Sequence, residues 1–321
     1  MIISKGEISM KKILITGAFG LVGTDLIEAL LKKNPKESIV ALSHTAINTS
    51  QVIIETGDVR DCAVLEDIIK KHVITEIYHL AGLLSVGSEK NPNLAWDVNL
   101  GGLKNILDLA VKYKIKVFWP SSIAAFGPTT PKTNTPQHTV LEPTTMYGVN
   151  KVAGELLCNY YFLKYGLDVR SLRYPGLTGY KAPPGDGTTE YSVHIFYGAL
   201  NAGHYSIFLK EDARLPMMYI DDAIEGTIQL MEAPQENITI RTSYNFGAIS
   251  FTPKELAEEL TKLVPGFTYD YKPDKRQKIA ESWPQSIDDS QARKDWGWQP
   301  KFDLPKMTKV MYEGLKIKLN K

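Results

Sequence analysis

The sequence predicts an α/β protein: a doubly wound parallel sheet followed by a smaller C-terminal α/β region that binds substrate. Three observations carry this. From Lys12 onward, short β-branched runs alternate with longer stretches of helical period, the pattern of βαβ units. The first run, KILIT, leads straight into TGAFGLVG, residues 16–23, with three glycines spaced G-x-x-G-x-x-G. After Arg173 the texture changes to YPGLTGYKAPPGDGTTEY, a Gly-, Pro- and Thr-rich stretch too long for a tight turn and of the kind that carries function.

In chain order, strands are expected at residues 13–16, 39–42, 52–55, 76–80, 117–120 and 169–173. Leu26, Ile27, Leu30 and Leu31 recur at helical spacing between the first two, as do Leu103, Ile106, Leu107 and Ala110 before the fifth, so helices pack on a sheet. Further on, a helix is expected over 222–231, a strand in TSYNFG, and a helix over 253–263, ahead of the Trp-rich DSQARKDWGWQP. Asp221 and Asp222 are read as helix-start residues that cap it and favour its dipole. The domain reading is a leader over 1–10, a dinucleotide-binding domain over 11–175, and a substrate-binding region over 176–321 partly interleaved with it.

Composition narrows the partners. Lys plus Arg number 37 against 36 Asp plus Glu, which argues against nucleic acid or an anionic membrane surface and favours a small molecule. With two cysteines, Cys62 and Cys158, neither a disulfide framework nor a Cys-rich zinc site is expected. The six histidines show no H-E-x-x-H spacing, so no metal site is assigned. MIISKGEISM holds no apolar core of signal-peptide length, and the cytoplasm is the expected compartment.

A glycine-rich turn between a buried strand and a helix lets backbone N–H groups and the helix N-terminus approach a pyrophosphate, the Rossmann-type arrangement. Gly17 would make the tight turn and Gly23 would permit close helix packing. Such folds place an acid at the end of the second strand for the adenosine ribose. Here that strand ends VALSHT, with Ser43 and His44 where the acid belongs. NAD is expected over NADP because no Arg follows immediately to hold a 2′-phosphate. Asp58 in TGDVRD serves equally as an adenine contact or as a turn residue.

A second constellation is YGVNK, residues 147–151, placed 25 residues beyond Ser122 in PSSIAAFG. Positions i and i+4 share a helical face, so Tyr147 and Lys151 can point into one cleft. A tyrosine is a poor base at neutral pH, and a neighbouring ammonium would favour its phenolate. Ser122 falls at the carboxyl end of an expected strand, where open α/β sheets bind ligands.

Together TGAFGLVG, YHLAGLLS, WDVN, PSSIAAFG and YGVNK resemble the extended short-chain dehydrogenase/reductase superfamily. The resemblance implies a catalytic trio of Ser122, Tyr147 and Lys151, with Asn99 of WDVN helping to hold the site and Lys151 on the nicotinamide ribose. It places NAD against Gly17, Phe19, Gly20, Leu21, Val22 and Gly23, against Ser43, Asp58 and Val59, against Leu80, Ala81, Gly82 and Asn99, and against Tyr147, Lys151, Tyr174, Pro175 and Leu177. The C-terminal segments, with AGLLSVGSEKNP, are similar to the short-chain type of L-threonine 3-dehydrogenase. That implies a pocket of Ser85, Ser122, Tyr147, Thr178, Thr188, Thr189 and Trp283 for L-threonine, and a homodimer. A sugar-nucleotide 4-epimerase or dehydratase would share the trio and stays open. A non-catalytic NAD(P)-sensing module would normally have lost Tyr147 or Lys151.

Overall fold

The structure is a computed structural model that describes residues 11–47, 49 and 51–321; the expected leader lies outside them. Strands β1 (Ile13–Thr16), β2 (Ile39–Ser43), β3 (Ile53–Thr56), β4 (Glu76–His79), β5 (Lys116–Ser122) and β6 (Val169–Tyr174) are followed by β7 (Gly176–Thr178), β8 (His204–Ile207), β9 (Leu215–Tyr219), β10 (Tyr244–Asn245), β11 (Ile249–Phe251) and β12 (Thr268–Tyr271). The helices are α1 (Leu21–Leu31), α2 (Cys62–His72), α3 (Ser85–Lys90), α4 (Pro92–Trp96), α5 (Gly102–Tyr113), α6 (Met146–Tyr165), α7 (Tyr191–Ala202), α8 (Ile220–Glu232), α9 (Pro253–Leu263), α10 (Arg276–Ser282), α11 (Ser290–Trp296) and α12 (Leu304–Lys318). A π-helical turn, Asp97–Gly101, joins α4 to α5.

The main sheet is ordered β10-β6-β5-β4-β1-β2-β3 and is parallel throughout. It is the doubly wound Rossmann order, in which the chain reverses direction of growth between β1 and β4 and leaves a crevice at their carboxyl ends. Alternation along each strand feeds two cores. Leu14, Val40 and Val117 share one with Leu65, Leu103 and Leu107 of α2 and α5. Ile13, Ile15 and Phe118 share the other with Leu26 of α1 and Ala223 of α8, as period-2 geometry requires when both faces are covered.

The second half of the chain re-enters this sheet, since Tyr244 and Asn245 pair with Leu172 and Arg173. Two small sheets, β11-β9-β7 and β12-β8, complete the C-terminal region. Strand β5 runs two residues beyond its expected end because Ser121 and Ser122 pair with Arg173 and Tyr174. Asp222 departs from its expected capping role. Tyr219 occupies the N-cap of α8 without a side-chain hydrogen bond, while the buried Asp222 accepts from the backbone N–H groups of Lys301 and Phe302 at 3.0–3.1 Å. It fastens the C-terminal segment to α8. No helix among the described residues is long and apolar enough to cross a membrane.

Candidate active site

The crevice begins at the β1–α1 turn. Gly17 has φ +63°, and a Cβ there would lie 2.7 Å from the Ala81 nitrogen, so the turn sits directly on the loop after β4. Thr16 stitches the two together: its carbonyl accepts from Leu80 N–H at 3.1 Å, and its hydroxyl accepts from Ala81 N–H at 3.2 Å and shares a hydrogen bond of 2.8 Å with His79 Nδ1. Burial holds that histidine far below its usual range, at about 3, so it stays neutral. A Cβ on Gly23 would meet the carbonyl oxygens of Gly17 and Ala18 at 2.5 Å, which lets α1 close against the turn. Gly20 is different. A Cβ there meets only the Gly17 oxygen, at 3.5 Å, and the residue is exposed. With no side-chain cap and no acid in its first turn, α1 leaves its N-terminal N–H groups available to an anion.

From this cradle a cavity of about 790 Å³ runs along the carboxyl ends of the main strands, within the range of cofactor and small-molecule sites. Phe19, Leu21 and Val22 line it beside the glycines, as do Ser43, Asp58 and Val59, then Leu80, Ala81 and Gly82, then Tyr174, Pro175 and Leu177. The structure therefore brings nearly all of the expected cofactor contacts to one wall. Asn99 is the exception. It is buried in the π-helical turn, where Oδ1 accepts from Leu83 N–H at 2.8 Å and Nδ2 donates to Leu83 O and Asn150 Oδ1, each at 3.2 Å. It braces the loop after β4 against α6 from behind the wall.

Ser122, Tyr147 and Lys151 line the same cavity. Ser122 ends β5, and its Oγ accepts from Ala124 N–H at 3.2 Å, which leaves its own hydrogen free to donate. Thr145 caps α6 by accepting from Gly148 N–H at 3.1 Å. A Cβ on Gly148 would fall 2.3 Å from Ala124 O, so that glycine is what lets the start of α6, with Tyr147, approach the turn after Ser122. The Lys151 ammonium donates to Pro120 O at 2.5 Å and lies 4.6 Å from the Trp119 ring centroid and 5.2 Å from that of Tyr147.

The electrostatics differ from the expectation that Lys151 would draw Tyr147 down. Burial dominates both groups: it pushes the Tyr147 phenol up to about 12, with the Ser122 hydroxyl pulling the other way, and it pulls Lys151 down to about 7 against the nearby Glu155 carboxylate. Lowering the phenol thus falls to Ser122, while Lys151 serves as a strong donor poised near neutrality.

At the other end, Ser85, Thr188, Thr189 and Trp283 reach the cavity. The Thr188 hydroxyl is buried with no hydrogen-bond partner among the described residues, the signature of a group built to meet a ligand. Thr178 does not take part. It is fully buried, and its hydroxyl pairs with that of Ser192 at 2.8 Å, off the cavity wall.

Three residues escaped the sequence reading. Lys132 donates to the carbonyl oxygens of Glu281, Ser282 and Trp283 at 3.1, 2.8 and 3.2 Å, gathering the end of α10 and placing Trp283. Glu190 lines the cavity beside the threonines, accepts from Gly185 N–H at 3.2 Å, and has its carboxyl raised by burial. Arg60, in the TGDVRD stretch already singled out for Asp58, comes to the wall beside Ser43, His44 and Thr45. No Arg follows β2 directly, as expected from the sequence; Arg60 arrives from the turn after β3, the neighbour of β2 in the sheet.

A parallel sheet with a glycine cradle at its reversal point and a Ser-Tyr-Lys set on its rim defines an enzyme of the extended short-chain dehydrogenase/reductase type. Residues 13–247 match the NAD dependent epimerase/dehydratase family, and the chain belongs to that family. Among curated relatives, an uncharacterized epimerase/dehydratase of Staphylococcus aureus (strain USA300) is 46% identical over 314 residues, covering 96% of this chain and 98% of that one. Among solved structures, the holo form of a GalE-like L-threonine dehydrogenase from Cupriavidus necator is 48% identical with a TM-score of 0.94, covering 95% of this chain and 100% of the other. A monomeric L-threonine 3-dehydrogenase of metagenomic origin is 47% identical with a TM-score of 0.94, covering 96% and 100%.

Proposed function

We propose that this chain oxidises the side-chain hydroxyl of L-threonine to 2-amino-3-oxobutanoate with NAD⁺ as the oxidant. The observation that carries the reading is the joining, in one cavity, of the Ser122-Tyr147-Lys151 set to the hydroxyls of Ser85, Thr188 and Thr189 and the Trp283 indole. Hydroxyl donors suit a carboxylate, and an indole face or a carboxylate suits an ammonium. Glu190 adds that carboxylate, so the far end offers both signs of recognition to a small zwitterion. The names of the solved relatives point the same way.

The cradle at Gly17, Gly20 and Gly23 fits a dinucleotide pyrophosphate, and Lys151 would hold the nicotinamide ribose. Bound NAD⁺ supplies the acceptor for the hydride that leaves Cβ. The one Ser122 hydrogen, which draws the phenol down in this structure, would turn to the reacting oxygen when substrate is bound, and Tyr147, as phenolate, would take the hydroxyl proton.

A stripe of exposed apolar residues on α6, Val149, Leu156, Tyr160 and Leu163, supports pairing with a second copy, which light scattering of the purified protein would detect. The curated relatives are described as epimerase/dehydratases, so the competing reading is a sugar-nucleotide enzyme that recycles its cofactor. Incubation with L-threonine and NAD⁺, and separately with UDP- and dTDP-sugars, separates them. Sustained NADH formation with threonine supports the proposal. Turnover of a nucleotide sugar without NADH release, and none with threonine, overturns it.

A further inference from the structure

The adenosine end of the cavity departs from what NAD selectivity requires. In this fold the acid at the end of the second strand does two things: it accepts hydrogen bonds from the ribose hydroxyls, and its charge repels a 2′-phosphate. Strand β2 ends instead at Ser43, whose neutral hydroxyl accepts from Thr45 N–H at 3.2 Å and lies 3.5 Å from the Thr45 hydroxyl. A serine hydroxyl still accepts a hydrogen bond, but the negative charge is missing from the strand end, and its repulsion is what excludes NADP.

The neighbours are donors. His44, Thr45 and Arg60 line the same wall. Asp58 is the acid of this corner, and Arg60 engages it as a fork, with Nε 3.0 Å from both carboxylate oxygens and Nη2 2.6 Å from Oδ2. The pair is half-exposed on both sides, so its charges largely cancel and water screens what remains. Nη1 of Arg60 donates to no group among the described residues. A guanidinium can face a carboxylate on one edge and a phosphate on the other, and a 2′-phosphate carries more charge than the single carboxylate it would share Arg60 with.

We propose that Ser43, His44, Thr45 and Arg60 form a subsite that accepts a 2′-phosphate, through which the chain binds NADP(H) as well as NAD(H). The inference rests on the dinucleotide reading of the cradle but not on the identity of the alcohol substrate. Its test is direct binding, by fluorescence titration of the purified protein with NADH and with NADPH. In the wild type the two dissociation constants should lie within about tenfold of each other. Ser43→Asp should weaken NADPH by about 30-fold or more while changing NADH by less than about threefold. Arg60→Ala should weaken NADPH by about tenfold with NADH nearly unchanged, and raised salt should weaken NADPH more steeply than NADH.

A wild-type ratio above about tenfold in favour of NADH overturns the proposal, as does a Ser43→Asp variant that leaves the ratio where it was. An Arg60→Ala variant that weakens both ligands alike removes Arg60 from the subsite. Failure of the wild type to bind either nucleotide would count against the dinucleotide reading itself, and is distinguishable from failure of this inference alone.

Discussion

Glu155 and Arg173 form a two-point ion pair behind Ser122, Tyr147 and Lys151, with Nη2 to Oε2 at 2.7 Å and Nε to Oε1 at 2.9 Å. Their exposures are 1% and 3%, so neither charge has recourse to water. Glu155 lies one helical turn beyond Lys151 on α6, and Arg173 pairs across the sheet with Ser121, whose hydroxyl also donates to Glu155 at 2.6 Å. The pair therefore fastens the helix bearing Tyr147 and Lys151 to the strand end bearing Ser122. Removing one partner strands the other charge, so Arg173→Met is expected to lose about 3–5 kcal/mol of stability. Urea unfolding would measure it, and a loss under about 1 kcal/mol would show that the pair is not a fastener.

Lys151 gives stability a defined dependence on pH. Its pKa falls from the ordinary 10.5 to about 7 on folding. Between those values the unfolded chain binds more protons at this position than the folded one does, so stability rises with pH across the window and the penalty is complete below about 7. Lys151→Met should flatten the gain in unfolding free energy between neutral and alkaline pH relative to the wild type. Parallel slopes in the two proteins would refute the assignment.

Activity should climb from neutral toward alkaline pH, because only the phenolate form of Tyr147 accepts the substrate proton and that phenol is held at about 12. Ser122 is the group that draws it down, so Ser122→Ala should move the rising limb further into the alkaline range as well as lowering turnover. Tyr147→Phe should cut turnover by roughly 10²–10⁴-fold while leaving NADH affinity near the wild type. A variant that loses both would place Tyr147 in cofactor binding alone.

What the sequence made legible and what it hid divide along a physical line. The six leading strands fall within two residues of their expected bounds, because short apolar, mostly β-branched runs are a local signal. The Ser122-Tyr147-Lys151 set was equally readable, since i and i+4 on a helix and the carboxyl end of a strand are local geometry. Arg60, Glu190, Lys132 and the Glu155–Arg173 pair were not. Their places in the site depend on how the chain folds back on itself, as with Lys132, which reaches across about 150 residues to Trp283. Thr178 shows the converse: a hydroxyl that the family resemblance placed in the pocket is paired with that of Ser192.

Lys132 is expected to act on substrate through Trp283 without touching the cofactor. Its ammonium is partly buried on three carbonyl oxygens, at a helix end where a cation is also favoured by the dipole. Lys132→Met should raise KM for threonine roughly fivefold or more, while NADH affinity stays within about twofold. Unchanged threonine kinetics would show that Trp283 keeps its place without this anchor.

The last expectation separates folding from phosphate binding within the glycine turn. Gly17 and Gly20 stand three residues apart but meet different constraints. At Gly17 the positive φ strains any other L residue, and a Cβ would press on the backbone of Leu80 and Ala81 at 2.7 Å, which cannot yield without displacing the β4 loop. Gly17→Ala should therefore cost about 1–3 kcal/mol or more of stability, with loss of NADH binding following from the damaged turn. At Gly20 the backbone is ordinary and a Cβ meets nothing closer than 3.5 Å, so Gly20→Ala should fold with a Tm within about 2 °C of the wild type. Its methyl group would nonetheless stand where a pyrophosphate must approach the α1 N-terminus, and NADH affinity should drop by about tenfold or more. Thermal unfolding and NADH titration of both variants make the test. Equal NADH affinity in Gly20→Ala and wild type would mean that the phosphates do not sit over this turn.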